Sequence, residues 1–249
     1  MTDTIVLALG LAVLSVASGM LGLGVAFAAV PFLGLFKSDL VHEVMPLSLF
    51  LNGVTALFSL FGFAKSGLVQ WRPAILLTCV TTVTAPLGAW AAQHVEARHL
   101  WMLYFAAVAF LAWRLLLPDE PKPAMQTDPN LELASILAAP ISFAAGMLGV
   151  GPGFLLMPTL VLLGFGPKHA AAINAFAVTP ASFAALVPHI PTAEVDLALG
   201  AALVPVGAIG SFLGARITSL YVPAQRLKHA FGVLVVAMTA YKLWQMLSG

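Results

Sequence analysis

The sequence predicts an all-α polytopic membrane protein made of two inverted repeats, each a glycine-broken helical hairpin followed by three transmembrane helices. Three observations predict this fold class: an apolar composition, apolar runs of membrane-spanning length, and a glycine motif present in both halves of the chain. Hydrophobic residues make up 61% of the 249 residues and charged residues 8%, whereas a soluble domain is about 25% charged. A chain this apolar has too little polar surface to cover itself in water, so we expect it to face lipid.

Six apolar runs have about the length needed to cross a membrane as helices. The hydrocarbon core is about 30 Å thick and takes about 20 helical residues. The first half of the chain contributes runs at residues 43–63, 73–94 and 99–117, and the second half contributes runs at 170–188, 197–217 and 227–247. We therefore predict three transmembrane helices in each half.

Two further apolar segments, residues 4–36 and 131–165, are too long for one crossing, since each would extend about 50 Å as a helix. Each has a glycine cluster near its middle, and we predict a helical hairpin with two arms of about 14 residues. Segment 118–130 has four prolines and four charged residues, which a membrane helix does not tolerate. Repeat one therefore comprises residues 1–117, the linker residues 118–130, and repeat two residues 131–249.

The two halves are related by an internal repeat. Residues 19–24, GMLGLG, match residues 146–151, GMLGVG, and the same offset pairs Pro31 with Pro158 and His42 with His169. An offset one residue shorter aligns LGA at 87–89 with LGA at 213–215. Landmarks that are spread over the whole unit at a nearly constant offset indicate a duplicated structural unit.

The distribution of lysine and arginine indicates how the repeats are oriented, because these residues accumulate in cytoplasmic loops. If each broken segment returns to the side it entered, the second repeat is inverted and the 11 basic residues divide eight against three. A single crossing by each broken segment would divide them five against six. We therefore predict inverted repeats, a cytoplasmic linker and both termini outside. Two short full crossings would give the same orientation as a re-entrant hairpin.

Glycines in the hairpin turns are the first candidates for a binding site. Glycine accepts positive φ and lets a ligand approach the backbone, and irregular backbone at membrane depth must be buried in protein or line a wet cavity. The second arms would begin near Gly24 and Gly151, and a helix start carries free N–H groups and about half a positive charge. In inverted repeats these starts would converge at the midplane and bind an anion without lysine or arginine. The candidate substrate-binding residues in the turns are Gly22, Gly24, Val25, Gly149, Gly151 and Gly153.

A second interpretation is that glycines only allow helices to pack closely. We expect this role for Gly10, Gly88, Gly200, Gly210 and Gly214. Pro152 is predicted to occupy the first position of the second arm in repeat two. Pro31 and Pro158, which follow the turns, are assigned a structural role.

Neutral polar residues in the helices after the hairpins are further candidates. Such residues are costly at membrane depth when unpaired, and they usually face the protein interior, where they could donate hydrogen bonds to an anion. The alternative is that they only form hydrogen bonds between helices. The substrate-binding candidates of this kind are Asn52, Asn174, Ser48 and Thr179, with Ser182 in the same helix as the last.

Two histidines occupy equivalent positions just after the hairpins, His42 and His169. Because histidine titrates near neutral pH, both are candidates for coupling proton movement to transport. The alternative is that both are simply solvated at the membrane interface. The one cysteine, Cys79, aligns with Pro205, and we expect it to pack as a small apolar residue.

The glycine motifs also carry a family resemblance. Residues 149–158, GVGPGFLLMP, and their partners at 22–31, which begin GLG and end in proline, resemble the signature of the TauE/SafE family of membrane transporters. The resemblance covers essentially the whole chain, although repeat one has Val25 and Ala26 where repeat two has Pro152 and Gly153. That family is associated with sulfite and organosulfonate export, so the resemblance implies a small sulfur-containing anion as the substrate.

The sequence favours a bacterial inner-membrane transporter that works by alternating access, with an anion held at helix N-termini near the midplane, and the resemblance implies that the anion is sulfite or an organosulfonate and that it is exported. The alternatives are transport of another small organic anion such as a carboxylate, and an anion channel, which would need a continuous polar pore. We expect no enzyme activity, cofactor or metal, since no HExxH motif, GxSxG motif or paired carboxylates occur. The expected partners are the anion and the lipid bilayer, with a proton or ion as a candidate for coupling and the oligomeric state left open. A net charge of +1 argues against a nucleic-acid partner.

Overall fold

The computed structural model describes residues 2–116 and 129–222, together with residues 240 and 244. Regular structure in this part of the chain is entirely helical, with no strand, so the all-α prediction is confirmed. A π-helical turn, Leu40–Val44, precedes α3, and a 3-10 turn, Val187–His189, follows α8. The predicted helix at 227–247 lies outside the described residues except for positions 240 and 244. The helices are α1 (Thr2–Leu21), α2 (Ala26–Leu33), α3 (Met45–Ala64), α4 (Trp71–Ala92), α5 (Ala97–Leu116), α6 (Leu131–Met147), α7 (Gly153–Leu162), α8 (Pro167–Leu186) and α9 (Leu197–Leu220).

Within the described ranges, four helical segments are long and apolar enough to cross a membrane: Leu40–Ala64, Trp71–Ala92, Pro167–His189 and Leu197–Leu220. They overlap the runs predicted at 43–63, 73–94, 170–188 and 197–217. Three segments begin two or three residues earlier than predicted, and local signals explain the starts at Leu40 and Pro167. The Asp39 carboxylate accepts hydrogen bonds from the amides of Val41 and His42, and Pro167 stands at the first position of α8. The protein is therefore a polytopic helical membrane protein.

Both glycine-broken segments form helical hairpins, but their arms are unequal. Helix α1 has 20 residues and α2 has 8, while α6 has 17 and α7 has 10; the sequence predicts about 14 in each arm. In repeat one, α1 begins at Thr2, upstream of the apolar run, which lengthens the first arm, and α2 ends at Leu33, before the run ends, which shortens the second. Helix α1 alone is about 30 Å long, so the path of each hairpin through the membrane stays a prediction.

The two hairpin turns have the same backbone geometry. Gly22 and Gly24 have φ of 63° and 69°, and Gly149 and Gly151 have φ of 65° and 69°, in the left-handed region that favours glycine. The amide of Leu23 donates to the Ser18 carbonyl at 3.1 Å, and its counterpart Val150 donates to Ala145 at 3.1 Å. The amides of Gly22 and Gly149 also donate, to the carbonyls of Gly19 and Gly146 three residues earlier, each at 3.1 Å. Together these bonds form a Schellman motif that ends each long arm.

The long arm of each hairpin packs against a helix of the other half. Helix α1 contacts α9 and α6 contacts α4, while α3 and α8 contact each other at the centre. Helix α3 also packs on α9, and α8 packs on α4 in the equivalent way. These contacts are therefore unchanged when the two halves are exchanged, as expected for a duplicated unit. The inversion of the halves relative to the membrane stays a prediction.

Glycines allow two of these helix pairs to approach closely. A Cβ on Gly88 of α4 would overlap the Phe143 carbonyl of α6, and a Cβ on Gly214 of α9 would overlap the Val16 carbonyl of α1. This is the packing role expected for both glycines. By contrast, a Cβ on Gly200, also in α9, would make only an ordinary contact with Leu47 at 3.8 Å.

We predict that Gly214→Ala lowers the free energy of unfolding by about 1–3 kcal/mol, because the added methyl forces α1 away from α9. Gly200→Ala is the matched control on the same helix. It should leave stability unchanged or raise it by up to about 1 kcal/mol, since alanine favours helix more than glycine does. The measurement is thermal unfolding of the purified variants in detergent. Equal melting temperatures for the two variants would contradict the packing assignment.

Candidate functional site

The two hairpin turns meet at the facing sides of α3 and α8. A Cβ on Gly24 or on Gly151 would overlap the side-chain amide of Asn52 on α3. Gly22 lies against the Ala171 carbonyl on α8, and Gly149 lies against Met45 on α3. We call this assembly the turn cluster; it comprises Gly22, Gly24, Val25, Gly149, Gly151, Gly153, Ser48, Asn52, Thr55, Asn174 and Ser182, all of them buried.

The start of α2 has its first amides bound by side chains of α3. The Asn52 Oδ1 atom accepts a hydrogen bond from the Ala26 amide at 2.7 Å, and the Thr55 hydroxyl accepts one from the Val25 amide at 3.1 Å. The Asn52 nitrogen donates to the Ser182 hydroxyl of α8 at 2.8 Å. One asparagine therefore caps the short arm of repeat one and connects it to the central helix pair.

The start of α7 differs, because no described residue accepts a hydrogen bond from the amides of Gly153, Phe154 or Leu155. The first amide of this arm with an acceptor is that of Leu156, which donates to the Pro152 carbonyl at 3.0 Å. Pro152 precedes the helix as its N-cap, one residue before the predicted position, and carries no N–H group of its own. The helix start is buried at Gly153 and Phe154, so three donors are left for another acceptor.

The repeat explains why the two helix starts differ. The offset that pairs the hairpins places Thr179 where repeat one has Asn52. The Thr179 hydroxyl donates to the Ala175 carbonyl of its own helix at 2.8 Å, and this half-buried residue makes no described bond to either hairpin. The structure therefore does not bring Thr179, a predicted binding residue, into the turn cluster, because its hydroxyl is already bonded to the backbone.

Asn174 connects the two hairpins to each other. Its side-chain nitrogen donates to the Gly22 carbonyl at 2.9 Å and to the Gly153 carbonyl at 3.2 Å. The residue is fully buried, and its Oδ1 atom accepts no hydrogen bond from any residue in the described ranges. A buried carbonyl oxygen without a donor is uncommon and requires an explanation.

Ser48 is a second buried polar group without a described partner. It lies three residues after Met45 and four before Asn52, so it shares the helix face that contacts Gly149 and Gly151. Serine and threonine hydroxyls in membrane helices commonly bond to the preceding turn of their own helix, as the Ser182 hydroxyl does to the Val178 carbonyl at 2.8 Å. The Ser48 hydroxyl makes no such bond, and it remains available to a ligand.

The two predicted proton-coupling histidines lie apart from the turn cluster. The His42 ring nitrogen Nδ1 is 2.8 Å from an Asp39 carboxylate oxygen before α3, and the same nitrogen of His169 is 2.9 Å from the Leu68 carbonyl. Partial burial raises the pKa of the Asp39 carboxyl, but hydrogen bonds from the amide and ring of His42 and from the Val41 amide outweigh it. The pKa of Asp39 therefore lies below its ordinary value of 3.8.

The two prolines that are assigned a structural role lie in the short arms of the hairpins. Pro31 lies inside α2 and Pro158 inside α7. Sequence reasoning missed Thr55, although its position three residues after Asn52 puts it on the same helix face. It also missed His189, which is fully buried. His189 has no histidine at the equivalent place in repeat one, so the repeat gives no signal for it.

Comparison with known proteins identifies the family to which the chain belongs. The family model described as "Sulfite exporter TauE/SafE" matches residues 6–242. The chain belongs to the TauE/SafE family. It is 25% identical over 237 residues to a "Probable membrane transporter protein" of Xylella fastidiosa strain 9a5c, covering 92% of this chain and 90% of that protein. It is 24% identical over 243 residues to the "Probable membrane transporter protein YunE" of Bacillus subtilis strain 168, covering 87% of this chain and 89% of that protein.

No solved structure shows a significant match to the chain. Family membership and the apolar helices together establish this TauE/SafE protein as a multi-pass membrane transporter. The expected class of protein is therefore confirmed, whereas the transported molecule and the binding residues stay predictions. Within the described ranges, no group of three or more histidine, cysteine, aspartate or glutamate side chains lies close enough to hold a metal ion.

We predict that Asn52→Leu lowers the free energy of unfolding by about 1–3 kcal/mol, because it leaves the buried Ala26 amide without an acceptor and removes the hydrogen bond that the Ser182 hydroxyl accepts. Thr179→Val, at the equivalent position of repeat two, should have a much smaller effect, since that hydroxyl bonds only within its own helix. Thermal unfolding of the two purified variants in detergent measures the difference. A loss of stability as large in Thr179→Val as in Asn52→Leu would rule out this role for Asn52.

We predict that Asp39 contributes stability that is lost in acid. Because the pKa of Asp39 is lower in the folded protein, its contribution is fully present above the ordinary value of 3.8 and disappears as pH falls through the folded-state value. Asp39→Asn should therefore be less stable than the wild type at pH 7 and should approach the wild type below about pH 3.8. Melting temperatures of both proteins across this pH range provide the check, and a constant difference at every pH would contradict it.

Proposed function

We propose that this transporter exports a small sulfur-containing anion, sulfite or an organosulfonate, by alternating access, and that it holds the anion at the start of α7 near the midplane of the membrane. The observation that carries the proposal is the buried start of α7, where the amides of Gly153, Phe154 and Leu155 have no described acceptor. The family supplies the class of substrate, since its model is named for sulfite export.

The start of α7 has the electrostatic properties that an anion site requires. The aligned peptide dipoles of a helix place about half a positive charge at its first turn, and three amide donors point in the same direction. None of the residues in the turn cluster is lysine or arginine, so the anion would be held without a full opposing charge. Hydrogen bonds at a buried site are strong because little water competes for them.

The two hairpins have different roles: the first supports the turn cluster and the second binds the anion. In repeat one, Asn52 and Thr55 occupy the amides of Val25 and Ala26, so Gly22, Gly24 and Val25 supply the geometry of the cluster rather than donors. In repeat two, Gly149 and Gly151 shape the turn that leads to the free amides. The Ser48 hydroxyl, unbonded and on the adjacent face of α3, adds a fourth donor to the anion.

Histidine, lysine and arginine residues near the ends of the helices are the basis for assigning proton coupling and the orientation of the protein in the membrane. His42 and His169 lie near the start of α3 and in the first turn of α8, and we assign them to proton coupling at the two ends of the pathway. The protein would reside in a bacterial inner membrane with the linker in the cytoplasm and both termini outside, as the distribution of lysine and arginine favours.

We predict that the purified protein in liposomes moves sulfite or a simple organosulfonate, and that Ser48→Ala raises the apparent KM about tenfold, since one hydrogen bond to a charged ligand is lost. Ser135→Ala is the matched control, because the Ser135 hydroxyl bonds to the Leu131 carbonyl of its own helix at 2.8 Å. Uptake of radiolabelled sulfite or sulfonate into vesicles that contain each protein gives the apparent KM of Ser48→Ala and of Ser135→Ala.

Several results of this experiment would overturn the proposal. Movement of acetate but of neither sulfite nor a sulfonate would replace the substrate class with a carboxylate. If the anion never accumulates against its own concentration gradient, even with an imposed proton gradient, the protein is a channel. Unchanged transport kinetics in Ser48→Ala would remove Ser48 from the binding site.

A further inference from the structure

The orientation of the Asn174 side chain is determined by its neighbours. Its amide group lies within 2.9 Å of the Gly22 carbonyl oxygen and 3.2 Å of the Gly153 carbonyl oxygen. Only the nitrogen can face two carbonyl oxygens, because it donates two hydrogen bonds whereas Oδ1 is an acceptor. The Oδ1 atom is therefore the free atom of this side chain, and it is fully buried without a described donor.

This free acceptor lies beside the helix start that we assign to the anion. Gly153 is the first residue of α7, and the Asn174 nitrogen contacts its carbonyl. Beside three unpaired amide donors, the structure thus has one unpaired oxygen that needs a donor. An anion that carries no hydrogen of its own would bond to the amides but would leave Oδ1 unpaired, and an unpaired buried acceptor is costly.

We propose that the site selects small anions that carry their own hydrogen-bond donor over anions of equal charge that carry none. The anionic oxygens would accept from the α7 amides while an O–H or N–H group of the ligand donates to Asn174 Oδ1. Hydrogensulfite and hydroxyl-bearing sulfonates meet both requirements; the sulfite dianion and plain alkanesulfonates meet only the first. This inference rests on the proposed function, since it assumes that the anion binds at the start of α7.

Discrimination of this kind is large in other binding sites. A site built to bond a ligand hydroxyl rejects the analogue that lacks it, because the protein group is then buried without a partner. A missing hydrogen bond of this type changes affinity by about tenfold or more. Asn174 is specific to repeat two, since the offset that relates the repeats pairs it with Leu47, whose side chain has no polar group.

The test compares two sulfonates of equal charge on the purified full-length protein. Ethanesulfonate and 2-hydroxyethanesulfonate differ by one hydroxyl group, and calorimetric titration in detergent gives the Kd of each. We expect 2-hydroxyethanesulfonate to bind about tenfold more tightly to the wild type. We expect the two ligands to bind Asn174→Ala equally, while Thr84→Val, whose hydroxyl bonds to the Val80 carbonyl of its own helix, should keep the wild-type preference.

Each outcome has a distinct meaning. Equal affinities for the wild type would overturn the inference and leave the proposed function intact, because both sulfonates would still bind. A preference that persists in Asn174→Ala would overturn it as well, since the discriminating acceptor would lie elsewhere. Failure of both sulfonates and of sulfite to bind the wild type would instead contradict the proposed function. If Asn174→Ala does not fold, the two wild-type affinities decide.

Discussion

The structure depends on how backbone polar groups are paired where helices break inside a membrane protein. Water is scarce at that depth, so each freed amide and carbonyl needs a partner from the protein or from a ligand. Asn52 meets much of this need, because it bonds to the Ala26 amide and to the Ser182 hydroxyl while lying against Gly24 and Gly151. Asn174 performs a related task by bonding to one carbonyl of each hairpin. These two side chains hold the breaks in place.

Small sequence differences between the repeats make the starts of α2 and α7 unlike each other. Repeat one has Asn52 and Thr55, whose oxygens cover the first amides of α2. Repeat two has Thr179 in place of Asn52, and that hydroxyl bonds to its own helix instead. The first amides of α7 are consequently free, although the turns that precede both arms have nearly identical φ angles. The structural difference between the two helix starts therefore arises from side chains rather than from the backbone.

Hydropathy and glycine placement predict much of this fold because they are local signals. The runs at 73–94 and 197–217 correspond to α4 and α9, and the positive φ at Gly22 and Gly149 agrees with the predicted turns. Contacts between distant segments leave no such signal. The bond from Asn174 to Gly22, the burial of His189 and the cap from Thr55 all depend on how α3, α8 and the hairpins dock. The unequal arms were missed for a related reason, since hydropathy alone does not determine where a helix begins.

The exchange of partners between halves has a consequence for how the chain is made. Of the described helices, α1 is synthesised before the others, yet it packs against α9, the last of them. At about 5–20 residues per second, α1 must remain in the bilayer for on the order of ten seconds or longer before its neighbour exists. During that interval its close-approach surface, including Gly19, lacks the helix on which it packs in the folded protein. Assembly is thus completed late, and a chain that ends before α9 would leave its first helix permanently without its partner.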